Sequence, residues 1–251
     1  MVESKECALA RSDSSAIVDP HGSASRPRRS WMSNENPLDE LISEACKVGW
    51  ASTTANLSNL RFLAFKIGLT PVATRAGQSA VDSLTPLHAH EAPRRSLSAK
   101  YGMGPQPLHT DGAHLPHPPD IVILSASSPS AVPTMLRRFS GAGNTASSLD
   151  DLEHGLFLVD DGSTRFLSPV LSRGRYRYDP GCMTPADTLA RRAAAQFDQA
   201  LTSATPFEWS EPNQVLVLDN RRVLHARGDA TSHPERELKR MAFHCKPDQM
   251  P

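Results

Sequence analysis

Two segments of this 251-residue chain carry residue types at a spacing that could hold a metal ion. In Pro107-Leu108-His109-Thr110-Asp111-Gly112 an imidazole and a carboxylate stand two positions apart. Side chains on an extended backbone alternate with a period of two, so His109 and Asp111 project to one face and can grip one cation. The pair is a common one, and it needs a third ligand. The segment 214–225, QVLVLDNRRVLH, offers His225 after a buried-type strand and a polar turn. Two His and one carboxylate leave several coordination positions open, which suits non-haem Fe(II) and oxygen chemistry. Catalytic zinc accepts the same donors, so these ligand types leave a zinc-dependent hydrolase open.

Beyond His225 the chain reads ARGDATSHPERELKR, which places Arg236 and Arg240 eleven and fifteen residues after the third ligand. A planar guanidinium holds a carboxylate through two parallel hydrogen bonds, so an Arg beside an open iron site is a natural anchor for an acidic cosubstrate. With these residues in place the chain resembles the taurine dioxygenase (TauD/TfdA) family of Fe(II)- and 2-oxoglutarate-dependent oxygenases. The likeness extends to Pro118-Pro119 and the apolar run Ile121–Leu124 after the His-x-Asp pair, to Thr134 after a turn-rich stretch, and to Asp219-Asn220-Arg221 ahead of Leu224-His225. It covers residues from about 96 to 138 and from 213 to 244, and the remainder poorly.

The resemblance implies a double-stranded β-helix, or jelly roll, with Fe(II) on His109, Asp111 and His225. It implies 2-oxoglutarate bound through Thr134 and Arg236, with O2 as the second cosubstrate. The implied reaction hydroxylates or otherwise oxidises an unactivated C–H bond of a small organic molecule, releasing succinate and CO2. Arg240 falls where the taurine enzyme meets its sulfonate, so an anionic substrate would suit it. Two departures concern substrate loops: only 116 residues separate His109 from His225, and Ala131-Val132-Pro133 replaces the Gly-Gly pair usual before the Thr. A catalytically silent jelly-roll binding protein would share the fold.

The elements that must position these residues read as mainly β with peripheral helices. Asn36-Pro37, with Asp39 and Glu40 in the first turn, opens a helix over 37–48 on the stripe Leu38, Leu41, Ile42, Ala45 and Val48. Thr184-Pro185 and Asp187 open a second, over about 185–202. Short runs at 62–67, 96–101, 121–126, 134–138, 157–159, 215–218 and 241–244, punctuated by Pro, Gly and Ser, read as extended strands. Residues 1–36, rich in Ser, Arg, Asp and Pro without apolar periodicity, read as a disordered tail ahead of a catalytic domain at 37–251. In the stretch 173–178, RGRYRY, Arg173, Arg175 and Arg177 alternate with Tyr176 and Tyr178, as on a strand that walls a cleft. His114, His117, His88 and His90 read as loop residues rather than ligands.

Composition narrows the partners. Lys and Arg number 27 against 27 Asp and Glu, so no cationic excess points to nucleic acid. No run of about 20 apolar residues could span a bilayer. The opening segment lacks a secretory h-region, and a cytoplasmic location is the expectation. Cys7, Cys46, Cys182 and Cys245 are too scattered for a zinc knuckle or a redox pair. A small-molecule substrate is the expected partner, and a homo-oligomer is compatible with the sequence.

Overall fold

The computed structural model describes residues 36–74, 81–139 and 146–246. The tail expected over 1–36 lies, Asn36 apart, outside the described residues. In chain order the elements are α1 (Pro37–Val48), β1 (Trp50–Thr54), α2 (Leu57–Lys66), β2 (Thr70–Pro71), β3 (Val81–Leu84), α3 (Leu97–Tyr101), β4 (Ile121–Ala126) and β5 (Ser130–Arg138). There follow α4 (Ala146–His154), β6 (Phe157–Asp160), β7 (Arg165–Ser168), β8 (Leu171–Ser172), β9 (Arg175–Tyr176), β10 (Met183–Pro185), α5 (Thr188–Leu201), β11 (Thr205–Trp209), β12 (Gln214–Asp219), β13 (Val223–Arg227) and β14 (Leu238–His244). None of the described helices is long and apolar enough to cross a membrane.

Two antiparallel sheets face each other. The larger runs β1-β12-β4-β14-β2, with β3 also on β14; the smaller runs β11-β5-β13. The period-two rule sorts their side chains into layers. Val122, Leu124, Leu216, Leu218, Leu136, Val223 and Trp209 meet between the sheets. From the same strands Ile121, Ile123, Val215 and Val217 point the other way, onto Leu38, Ile42 and Ala45 of α1 and Leu60 and Ala64 of α2. The outer face of the small sheet, through Leu224 and Ala226, packs with Phe157, Tyr176, Tyr178 and Phe197. These paired layers form the double-stranded β-helix, wrapped by helices as the pattern predicts.

Local chemistry explains both the agreements and the differences. α1 begins where the sequence places it, because the Asn36 side chain accepts from Leu38 N at 3.0 Å and Pro37 occupies the first turn. Such a cap contributes about 1 kcal/mol. The runs at 62–67 and 96–101 are helical instead of extended. Asn56 caps α2 at Ser58 N, 2.8 Å, and Ser96 caps α3 at Ala99 N, 3.2 Å. In α2 only Leu60 and Ala64, four residues apart, are buried, while Phe62 and Phe65 of the apolar run stay exposed. The second long helix starts at Thr188, capped by Asp187, since Met183–Pro185 is taken by pairing with Phe157–Val159.

Candidate metal centre

His109 and His225 reach each other through a two-way backbone bridge at the β13 edge of the small sheet. Each N–H donates to the other's carbonyl at 2.9 Å. Their rings lie 4.4 Å apart between centroids. Asp111 enters from the turn that follows, its Oδ2 3.6 Å from His225 Nε2. One ligand atom from each of the three residues falls within 4.8 Å of the others, and no other such group occurs among the described residues. Three side chains from two segments, their histidines 116 residues apart in sequence, thus converge on one point.

The surroundings fix each ligand. His109 Nδ1 lies 3.1 Å from the carbonyl of Pro107, which as acceptor leaves the Nε2 lone pair free for a metal. Asn220 holds the turn: its Oδ1 accepts from Asp111 N at 2.9 Å, and its Nδ2 donates to the carbonyls of Asp111 at 3.1 Å and Pro119 at 2.9 Å. Beside it Asp219 and Arg221 form a buried two-pronged ion pair at 2.7 and 3.0 Å, with Arg221 also on Cys46 Sγ. The Asp-Asn-Arg turn therefore ties His225 to the His109–Asp111 segment and to α1.

The charges fit a cation. Burial opposes ionisation of Asp111, but Arg240, His225 and His109 together outweigh it and hold the carboxyl below its ordinary range. Burial pushes His225 down to about 3, with the neighbouring His109 and the Arg240 and Arg236 charges acting the same way against Asp111. A neutral imidazole and an ionised carboxylate are the forms a metal ligates. Asp111 Oδ2 and His225 Nδ1 are buried without a hydrogen-bond partner. An orphaned carboxylate oxygen inside a protein is costly unless something cationic satisfies it. The residues fit a divalent metal held by His109, Asp111 and His225.

The remaining expected site residues take distinct places. Thr134 lies between the sheets on β5, its hydroxyl accepting from Trp209 Nε1 at 3.0 Å. Arg236 is 6% exposed, its Nε has no partner, and no acid pairs with its guanidinium among the described residues. Burial, then the nearby Arg227 charge, lowers it to about 10. Arg227 itself spends its Nη2 on the carbonyls of Gly102 and Gly104 at 2.6 and 2.7 Å. Arg240 is committed to structure: it donates to Asp111 Oδ1, to Thr74 Oγ1 at 2.6 Å and to Asp82 Oδ2 at 2.8 Å, and its buried Nε has no partner.

Three residues near the centre carry no motif signal. Asp82 comes from β3, far upstream, and Trp209 from the short strand β11. Asp179 follows Tyr178; burial raises its carboxyl above the ordinary range, though the His109 charge and the Gly181 N–H, at 2.7 Å, oppose this. His88 and His90 stack on each other with rings 5.7 Å apart and join no ligand group.

Neither a protein-family model nor a curated protein matches the chain. Solved structures do. An asparagine oxygenase in complex with Fe(II), 2S,3S-3-hydroxyasparagine and succinate is 14% identical, with a TM-score of 0.60 over 82% of this chain and 78% of that one. The non-haem iron oxygenase OrfP, in complex with Fe, succinate and (3S)-hydroxy-L-Arg, is 19% identical, with a TM-score of 0.61 over 84% and 82%. The same oxygenase with Fe and α-ketoglutaric acid gives 20% identity and a TM-score of 0.59 over 85% and 81%. At these identities the likeness speaks for the backbone: the chain has the double-stranded β-helix fold of these iron-containing oxygenases.

Proposed function

We propose that this chain is an Fe(II)- and 2-oxoglutarate-dependent oxygenase of the TauD/TfdA type that oxidises an unactivated C–H bond of a small organic substrate. The observation that carries the reading is the conjunction of two unsatisfied features in one place. A buried carboxylate oxygen lacks a cation beside two His, and a buried guanidinium lacks an anion close enough to depress His225. A metal and a dicarboxylate would answer both. A zinc hydrolase would use the three ligands and leave Arg236 without a task.

On this reading His109, Asp111 and His225 hold the iron, and Arg236 takes the distal carboxylate of 2-oxoglutarate by a two-pronged contact. Thr134, whose hydroxyl accepts from Trp209, retains its own proton to donate toward that carboxylate. The bound iron supplies O2 activation coupled to oxidative decarboxylation of the 2-oxo acid to succinate and CO2. The protein contributes ligand geometry, an apolar wall and placement. The fold neighbours were captured with hydroxylated asparagine and arginine, so free amino acids head the substrate panel. Asp179 is the acid available for a cationic group of such a substrate. Arg240, committed to Asp111, Thr74 and Asp82, has few donors left for an anionic one.

Succinate release is the test. With Fe(II), 2-oxoglutarate and O2, an amino-acid panel is expected to raise succinate formation above the uncoupled background. Complete absence of decarboxylation, with and without substrates, in protein shown to bind Fe(II) would sink the reading.

A further inference from the structure

Away from the metal centre a cleft of about 690 Å³ opens between the loop at 116–118, the hairpin formed by β8 and β9, and the end of β14. None of the three candidate metal ligands lines it. Its walls carry Arg173, Arg175, Arg177, His117 and His244, and Asp120 is the one acid among its lining residues. The alternation of RGRYRY causes this: Tyr176 and Tyr178 are buried in the core, which turns the three Arg side chains outward together.

The single acid is already neutralised. Asp120 pairs with Arg175 Nη1 at 2.5 Å, lies 3.5 Å from His244 Nδ1 and accepts from Cys245 N at 2.9 Å. The guanidiniums are not exhausted. Arg175 otherwise donates to the Pro118 carbonyl at 3.2 Å, and Arg177 donates to the carbonyls of Ala113, Leu115 and Pro116 at 2.7, 2.5 and 2.8 Å. A guanidinium has five N–H donors, so both keep some to spare. Arg173, held with φ at 51° at the hairpin tip, makes no hydrogen bond or ion pair among the described residues. Counting the guanidiniums alone, three cations against one carboxylate leave the cleft positive, and a concave positive site concentrates anions.

We propose that this cleft is a second ligand site, for a small multivalent anion such as a diphosphate or a tricarboxylate. Arg173 and the spare donors of Arg175 and Arg177 grip separate anionic groups, with His117 and His244 at the rim. Arg177 also hooks three carbonyls of the segment that leaves Asp111, so the occupant sits one loop away from the metal carboxylate.

The test uses the full chain without iron, titrated calorimetrically with pyrophosphate and, separately, with citrate. Saturable one-to-one binding that weakens with added salt is expected for at least one of them, and the tighter of the two assigns the ligand to phosphates or to carboxylates. Arg173→Glu and His117→Glu, both at exposed positions, are expected to weaken it at least about tenfold. Arg236→Gln, in the other anion pocket, is expected to leave it unchanged. Absence of saturable binding by both probes overturns the proposal. Binding abolished by Arg236→Gln yet indifferent to Arg173→Glu overturns it too.

Discussion

Arg240 closes on one oxygen of Asp111 and leaves the other, Oδ2, facing His225 Nε2 at 3.6 Å. The guanidinium is itself held from behind by Asp82 at 2.8 Å and Thr74 at 2.6 Å. A carboxylate with one oxygen pinned has little freedom left for the other. Asp82 therefore acts on the metal ligand through Arg240, an outer partner of the kind whose loss typically costs 10- to 100-fold in metal affinity.

Asp82→Asn keeps the shape and removes the charge that opposes Arg240. Its affinity for Fe(II), measured anaerobically by competition with a chromophoric chelator, is expected to drop by about tenfold. An affinity equal to that of the unaltered protein would show that Asp111 is oriented without this relay.

Arg236→Ala should raise the 2-oxoglutarate concentration needed for half-maximal succinate release by at least about 100-fold, since a desolvated two-pronged ion pair is lost. Fe(II) affinity should hold. A 2-oxoglutarate requirement unchanged by the substitution would place the anchor elsewhere, and Arg227, the other buried guanidinium nearby, would be the next to replace.

Asn220→Ala removes three hydrogen bonds from the turn that carries Asp111 and strands a buried N–H and two carbonyls. Each such group left unsatisfied costs about 1–3 kcal/mol. Denaturant unfolding of the metal-free protein should show a loss in that range or above it, together with weaker metal binding. A stability unaffected by the change would mean water replaces the amide at no cost.

The parts of this site that could be read from the sequence are those with local signatures. His109 and Asp111 share a period-two face, and the polar turn at 219–221 announces His225 at the end of a buried strand. Arg236 stands out in the sequence through the family resemblance, and its role as an anchor belongs to the proposal. Asp82, Trp209 and Asp179 carry no such signature: Asp82 faces Arg240 only through the β3–β14 register, Trp209 meets Thr134 only through β11–β5, and Asp179 stands in the loop between β9 and β10. The misread helices share a cause. The run at 62–67 is apolar almost throughout and has no decisive period, while Leu97, Ala99 and Tyr101 alternate as a strand would; the caps that decide for helix, Asn56 and Ser96, stand upstream of the apolar pattern or at its edge.

Acid should unfold the metal-free protein partly through His225. Its imidazole is held neutral in the fold, with a value near 3, against about 6.5 in an unfolded chain. Below pH 6.5 the unfolded state therefore binds a proton that the folded state refuses, so the stability is fully present above 6.5 and falls as pH drops toward 3. At pH 5 the loss from this one group is on the order of 2 kcal/mol. Asp179, raised by burial, works in the opposite direction, because the folded state takes up its proton first as pH falls. Comparing the unaltered protein with His225→Gln by denaturant unfolding at pH 7.5 and pH 5 cancels that contribution. The gap between the two proteins should shift by about 2 kcal/mol in favour of the Gln variant at the lower pH. A gap that stays constant would mean His225 is charged in the fold, and the neutral ligand that a metal needs would have to be made by the metal itself.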